Sequence, residues 1–197
     1  MFYNVVKFIC NIVIHIIFKI RVIGGADFPE RGPVIIYSNH KSMWDPIIIG
    51  CLVKRPVVFM AKEELFRIPV LGFIIKNLHA FPVKRGIPDR KAIKKALEVL
   101  NNNQVLGIFP EGTRSKDGKL QEPEPGLALL ASKAKDVTLV PVAIRGNYKF
   151  FSHIDVIFSE PKKFSEYHQE DTKLNSEKLK EISSALFEEV SNLMNVK

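Results

Sequence analysis

A histidine and an aspartate stand five positions apart in Asn39-His40-Lys41-Ser42-Met43-Trp44-Asp45-Pro46. An imidazole held by a carboxylate is the usual general base: the acid fixes the tautomer, and the second ring nitrogen takes the proton. On a continuous helix this spacing would put the two side chains on different faces. They meet only if residues 40–44 form a loop. Pro46 supports that reading, because proline suits a first helical turn and pushes Asp45 away from helical angles. Asp45 is therefore expected at the helix N-cap, with a carboxylate oxygen left for the ring N–H of His40. The plainer alternative is a cap and a loop histidine with no chemistry between them.

Two further clusters carry cations in Gly/Pro loops. Phe81-Pro82-Val83-Lys84-Arg85-Gly86 is one, and Phe109-Pro110-Glu111-Gly112-Thr113-Arg114-Ser115 is the other. The guanidinium forks of Arg85 and Arg114 match a phosphate. Gly112 lets the backbone approach a ligand closely. Glu111 either orders Arg114 as an ion-pair partner or contacts a substrate hydroxyl. Val140-Pro141-Val142 places a proline in a strand pattern, which by itself indicates an edge strand or a bulge.

Short apolar, mostly β-branched or aromatic runs predict strands at Val34–Ser38, Pro56–Met60, Ala80–Val83, Val105–Phe109, Thr138–Ile144 and Ile154–Phe158. Helical patterns fall between and after them, at Ile47–Val53, Asp89–Asn102, Leu127–Ala134 and Leu174–Met194. The alternation indicates an α/β fold with a largely parallel mixed sheet flanked by helices. In such folds ligands gather at strand ends, where the three clusters lie.

Other chemistries lack their signatures. There is no Gly-x-Ser-x-Gly elbow, P-loop or dinucleotide fingerprint. Cys10 and Cys51 are too few for a disulfide framework, and the remaining histidines are scattered, so no metal site is expected.

The 197 residues carry 29 Lys+Arg against 21 Asp+Glu, a net charge of +8 that calls for an anionic partner. Residues 1–159 hold a surplus of ten positive charges, and no acid precedes Asp27. Read as a helix over 2–20, the start places Asn4, Lys7, Asn11, His15 and Lys19 on a stripe of roughly 120°, with apolar residues around the rest. Interrupting polar residues count against a bilayer span and a signal peptide. A helix lying in a membrane surface fits the pattern, and a helix packed on its own domain is the alternative. The expected division is a membrane-associated helix at 1–23 and a domain at 24–197.

These motifs, in this order, resemble the glycerolipid acyltransferases typified by 1-acyl-sn-glycerol-3-phosphate acyltransferase. The resemblance rests on His-x-x-x-x-Asp at 40–45, Phe-Pro-Val-x-Arg-Gly at 81–86, Phe-Pro-Glu-Gly-Thr-Arg-Ser at 109–115 and Val-Pro-Val at 140–142. It covers roughly residues 30–146. It implies acyl transfer from acyl-CoA or acyl-carrier protein to the 2-hydroxyl of a lysophosphatidate, giving phosphatidate. His40 would be the base and Asp45 its orienting acid. Arg85 and Arg114 would hold the acceptor phosphate, joined by Lys84, with Glu111, Gly112 and Thr113 shaping that site. It implies no cofactor besides the thioester co-substrate, no nucleic-acid partner, and attachment to the cytoplasmic face of a membrane. Another lysophospholipid or glycerol-3-phosphate is the alternative acceptor. A non-catalytic protein that binds anionic lipids is the alternative class. The chain departs from the pattern at Glu124, where many relatives carry a lysine, and at Lys84, where an acid is frequent.

Overall fold

The computed structural model describes residues 2–84, 86–115, 117–168 and 173–196. Eight strands among the described residues form one mixed sheet: β1 (Lys19–Ile23), β2 (Val34–Ser38), β3 (Val57–Lys62), β4 (Phe81–Val83), β5 (Val105–Ile108), β6 (Thr138–Gly146), β7 (His153–Phe158) and β8 (Lys162–Lys163). Their order is β1-β7-β6-β2-β5-β3-β4, with β8 also on β6. From β6 through β2, β5 and β3 to β4 every pairing is parallel. β7 and β8 are antiparallel to β6, and β1 is parallel to β7. The six α-helices among the described residues are α1 (Phe2–Ile17), α2 (Asp45–Leu52), α3 (Pro69–Asn77), α4 (Arg90–Asn101), α5 (Gly126–Lys133) and α6 (Ser176–Met194).

Strand alternation builds two cores from one sequence run. In β2, Ile35 and Tyr37 face the layer of α4, α5 and α6, while Val34 and Ile36 face α1 and α2. A strand buried on both faces needs apolar residues at every position, as Val34–Tyr37 supply. α6 covers the first face with Ile182, Leu186 and Val190, whose spacing of four residues keeps them on one side.

The start of the chain differs from expectation. Its helix ends at Ile17, not Ile20; the amide of Lys19 donates to Ser152 O, and Lys19–Ile23 enters the sheet as β1. α1 also turns one residue of its polar stripe inward. Lys7 turns inward, its Nζ donating to Val53 O, and burial pulls its ammonium below the usual lysine range. Ile14 is fully buried, while Val5, Phe8, Ile9, Ile12 and Ile16 stand exposed. Arg21 is paired with Asp155. Thus Lys7 and Arg21 serve the fold.

Two further differences have local causes. Pro141 lies in β6, an interior strand, opposite Tyr37 of β2. On its other side β8 pairing ends at Leu139 and β7 pairing begins at Val142, so the missing N–H falls in a gap between ladders. The second is α3, a helix absent from the sequence patterns above, started by Pro69 at its first turn.

Candidate active site

Parallel strands bring their C-terminal ends to one edge of the sheet. The loops that begin at Asn39, Phe109 and Lys84 leave β2, β5 and β4 there. At about 4.8 Å per strand, β4 sits roughly 10 Å beyond β5. Asn39 fixes the end of β2. Its Nδ2 donates to Ile144 O at 2.9 Å, and its Oδ1 accepts from Ile144 N at 2.8 Å, which extends the β2–β6 pairing by one residue.

The β5 loop then grips His40 by its backbone. The His40 amide donates to Glu111 Oε1 at 2.7 Å, and Ser115 N donates to the His40 carbonyl at 2.8 Å. Beneath the imidazole lies Phe109, stacked with centroids 4.1 Å apart, and Phe59 stacks on Phe109 at 5.9 Å. Gly107 makes room for this column: a Cβ there would lie 2.2 Å from the Phe59 ring.

The ring itself is held by Asp45, with Nδ1 2.8 Å from Oδ2. The same oxygen accepts the amides of Lys41 at 2.7 Å and Ser42 at 2.8 Å, and Oδ1 accepts the hydroxyl of Tyr148. A carboxylate in this setting only accepts, so Nδ1 carries a hydrogen and donates to Oδ2. The side chains of His40 and Asp45 are 8% and 0% exposed. Asp45 is not the N-cap of α2; Trp44 takes that position with no side-chain cap. Its carboxylate bends back over the loop instead, where two amides and a histidine compete for it.

Glu111 spends both oxygens on backbone, the second accepting from Gln121 N at 2.9 Å. Burial pushes its carboxyl above the usual range, while the His40 and Gln121 amides pull it back. It therefore braces the loop under His40, and no ion pair to Arg114 forms among the described residues. Gly112 turns the loop with φ of +66°, and the exposed Thr113 follows it. Arg114 is exposed and lines the same cavity as His40. Lys84 is exposed at the end of β4 and does not line that cavity. Its amide donates to Asp89, the N-cap of α4. Arg85 lies outside the described residues.

The cavity has a volume of about 320 Å³, within the range of small-molecule sites. Val6 and Cys10 of α1, Ile47 of α2, Phe59 of β3, and Leu71 and Ile75 of α3 give it apolar walls. His40, Lys62 and Arg114 supply its polar atoms at the strand-end edge. The arrangement is an imidazole whose Nε2 has no hydrogen bond among the described residues, a nearby cation and an apolar chamber.

The Acyltransferase family model matches residues 19–145. The chain belongs to the acyltransferase family. Among relatives, the 1-acyl-sn-glycerol-3-phosphate acyltransferase of Bacillus subtilis is 33% identical over 64% of this chain and 63% of its own length. The enzyme of that name from Borreliella burgdorferi is 33% identical over 68% of this chain and 54% of its own. The chain thus spans little more than half the length of these relatives. Of solved structures, the 1-acyl-sn-glycerophosphate acyltransferase PlsC from Thermotoga maritima superposes with a TM-score of 0.72 at 23% identity, over 98% of this chain and 81% of that one. That likeness establishes the acyltransferase fold.

Four contributors to the site were not singled out by residue type. Asn39 works by mimicking a strand, Phe109 and Gly107 by stacking and by room, and Tyr148 by reaching Asp45 from 103 positions away. For Gly107 the available signal was a glycine inside an apolar strand, which marks close approach. Tyr148 and α1 both fall outside the stretch that matches the acyltransferase family model.

Proposed function

We propose that the chain transfers a fatty acyl group from a thioester to the 2-hydroxyl of 1-acyl-sn-glycerol-3-phosphate, giving phosphatidate. The observation that carries this reading is His40, with Asp45 on Nδ1 and Nε2 free, lining an apolar cavity that Arg114 also lines. The names borne by the relatives supply the acceptor. His40 Nε2 takes the hydroxyl proton as the oxygen attacks the thioester carbonyl. The tetrahedral intermediate collapses, the C–S bond breaks, and the imidazolium returns the proton to the leaving thiolate. Positioned proton transfer of this kind contributes about 10²–10⁴ in rate. Asp45 keeps the ring in the required tautomer and offsets its positive charge. Arg114 and Arg85 receive the phosphate, and Gly112 and Thr113 shape the loop beside it. Glu111 acts from behind, through the His40 backbone. No acyl-enzyme is involved, and the co-substrate is acyl-CoA or acyl-carrier protein.

The protein works at a membrane surface, on the cytoplasmic face. Supporting this is the apolar outer stripe of α1, continued at its first residue by Phe73 of α3, whose ring meets Phe2 edge-on at 5.9 Å. At its other end Phe151 N donates to Ile17 O beside the exposed pair Phe150 and Phe151. Lys19, whose amide donates to Ser152 O, and Lys149, whose carbonyl accepts from Ser152 N, are exposed cations for anionic headgroups. Among the described residues no helix is long and apolar enough to cross a membrane; α1 lies in the surface.

A panel of lysophosphatidate, other lysophospholipids and glycerol-3-phosphate, crossed with acyl-CoA and acyl-carrier protein donors, tests the reading. Lysophosphatidate should be turned over fastest. Turnover confined to another acceptor, or lipid binding without turnover of any, would overturn it.

A further inference from the structure

The loop joining β6 to β7 has an unusual backbone. Tyr148 and Phe151 both hold positive φ, at +56° and +59°. For bulky residues such angles are costly, and they persist where surrounding contacts enforce them. At Tyr148 the contacts are visible. Its ring meets Phe18 edge-on at 5.9 Å, and Phe18 meets Trp44, the residue before Asp45, at 5.5 Å. Its hydroxyl donates to Asp45 Oδ1. That oxygen has no other hydrogen bond among the described residues, because Oδ2 receives His40, Lys41 and Ser42. Burial and the Asp45 carboxylate push the phenol far above its usual range, so it stays a donor.

We infer that Tyr148 is a positioning residue for the reaction. Its hydroxyl fixes the plane of the Asp45 carboxylate and so the aim of His40 Nε2. This rests on the proposed pairing of His40 and Asp45 as the working base. A carboxylate with only Oδ2 tethered can rotate about its last bond, and every degree of that rotation swings the imidazole it holds. Tying Oδ1 from the opposite side stops the rotation. The hydroxyl also compensates part of the buried negative charge at Asp45. It has no contact with the cavity, so it is not expected to bind substrate.

Tyr148→Phe tests this, since it keeps the ring on Phe18 and removes one oxygen. A hydrogen bond to a buried charge is worth roughly 10- to 100-fold in rate if lost at the transition state. The expected result is a fall of that size in kcat, with KM within about twofold and thermal unfolding little changed. In an Asp45→Asn background the same substitution should add almost nothing, because the two act as one unit. Unchanged kcat, or a full additive loss in the double variant, would overturn the inference. Should Tyr148→Phe not fold, 3-fluorotyrosine at 148 keeps shape and hydroxyl while altering the phenol's acidity. An altered kcat supports the inference and an identical kcat overturns it. His40→Ala separates the two levels. If it retains activity, the base assignment itself falls. If it is inactive while Tyr148→Phe is fully active, only the role of Tyr148 falls.

Discussion

The strand-end edge around His40 and the outer face of α1 solve opposite problems. Around His40 the polar atoms are buried and paired: Asn39 with Ile144, Glu111 with the His40 and Gln121 amides, Asp45 with four donors. Along α1 apolar side chains are left in the open while a lysine is drawn inside. Each is unfavourable unless it meets a need. A buried carboxylate persists only when its charge is compensated by hydrogen bonds. An apolar stripe persists in open solvent only where exposing it has a use. One region is finished without a partner; the other waits for one. On the proposed reading the first serves chemistry and the second serves attachment, as an enzyme acting on a bilayer-held substrate would need.

Substitutions can break this contrast. The largest expected effect is in the polar region. Asp45→Asn would lower turnover by roughly 10²–10⁴, because an amide can present its NH₂ to His40 and favour the wrong tautomer. Steady-state kinetics read it, and activity near that of the unaltered protein would remove Asp45 from the mechanism. Next comes the inner side of α1. Ile14→Ala should cost about 2–5 kcal/mol of unfolding free energy, since Ile14 is 0% exposed. On the outer side, Ile12 is 45% exposed. Ile12→Ala should change stability by no more than ~0.5 kcal/mol while weakening sedimentation with anionic vesicles. If both substitutions acted on stability alone, α1 would be a packed helix and nothing more.

The smallest expected effect concerns pH. Arg21 holds Asp155 by two hydrogen bonds and, with Arg145, keeps its carboxyl below the usual range. A depressed carboxylate contributes stability above the ordinary aspartate value of about 3.9 and loses it as pH falls through the lowered value. Asp155→Asn should remove that part of the acid-side decline. The pair is partly exposed, so the loss near neutrality is small. Denaturation curves at pH 7 and pH 3 that shift equally in the variant would deny the linkage.

How far the sequence could be read follows the same contrast. β2 was legible to the residue, because a run buried on both faces has no polar interruption. The pairing of His40 with Asp45 was legible because it is local and Pro46 marks the turn. The work of Glu111 was not, since its partners are amides, which carry no residue identity. Tyr148 was not, since only the crossover of β6 beside β2 brings it near Asp45. β1 was hidden because Phe18, Lys19 and Ile20 continue a helical stripe as easily as they begin a strand. The sheet partner that decides the matter, β7, lies 134 positions away. Which face of α1 turns inward was not legible for a related reason. Periodicity reports which residues share a face but not which face turns inward, and the Val53 carbonyl captures Lys7.

On the proposed reading, His40 is the base of an acyl transfer. Purified protein and its His40→Ala variant, each given lysophosphatidate and acyl-CoA or acyl-carrier protein with vesicles present, test it most directly. Phosphatidate is expected from the first and a loss of at least about 10²-fold in the second, with vesicle binding unchanged. Phosphatidate formed by the variant at the rate of the unaltered protein would contradict it.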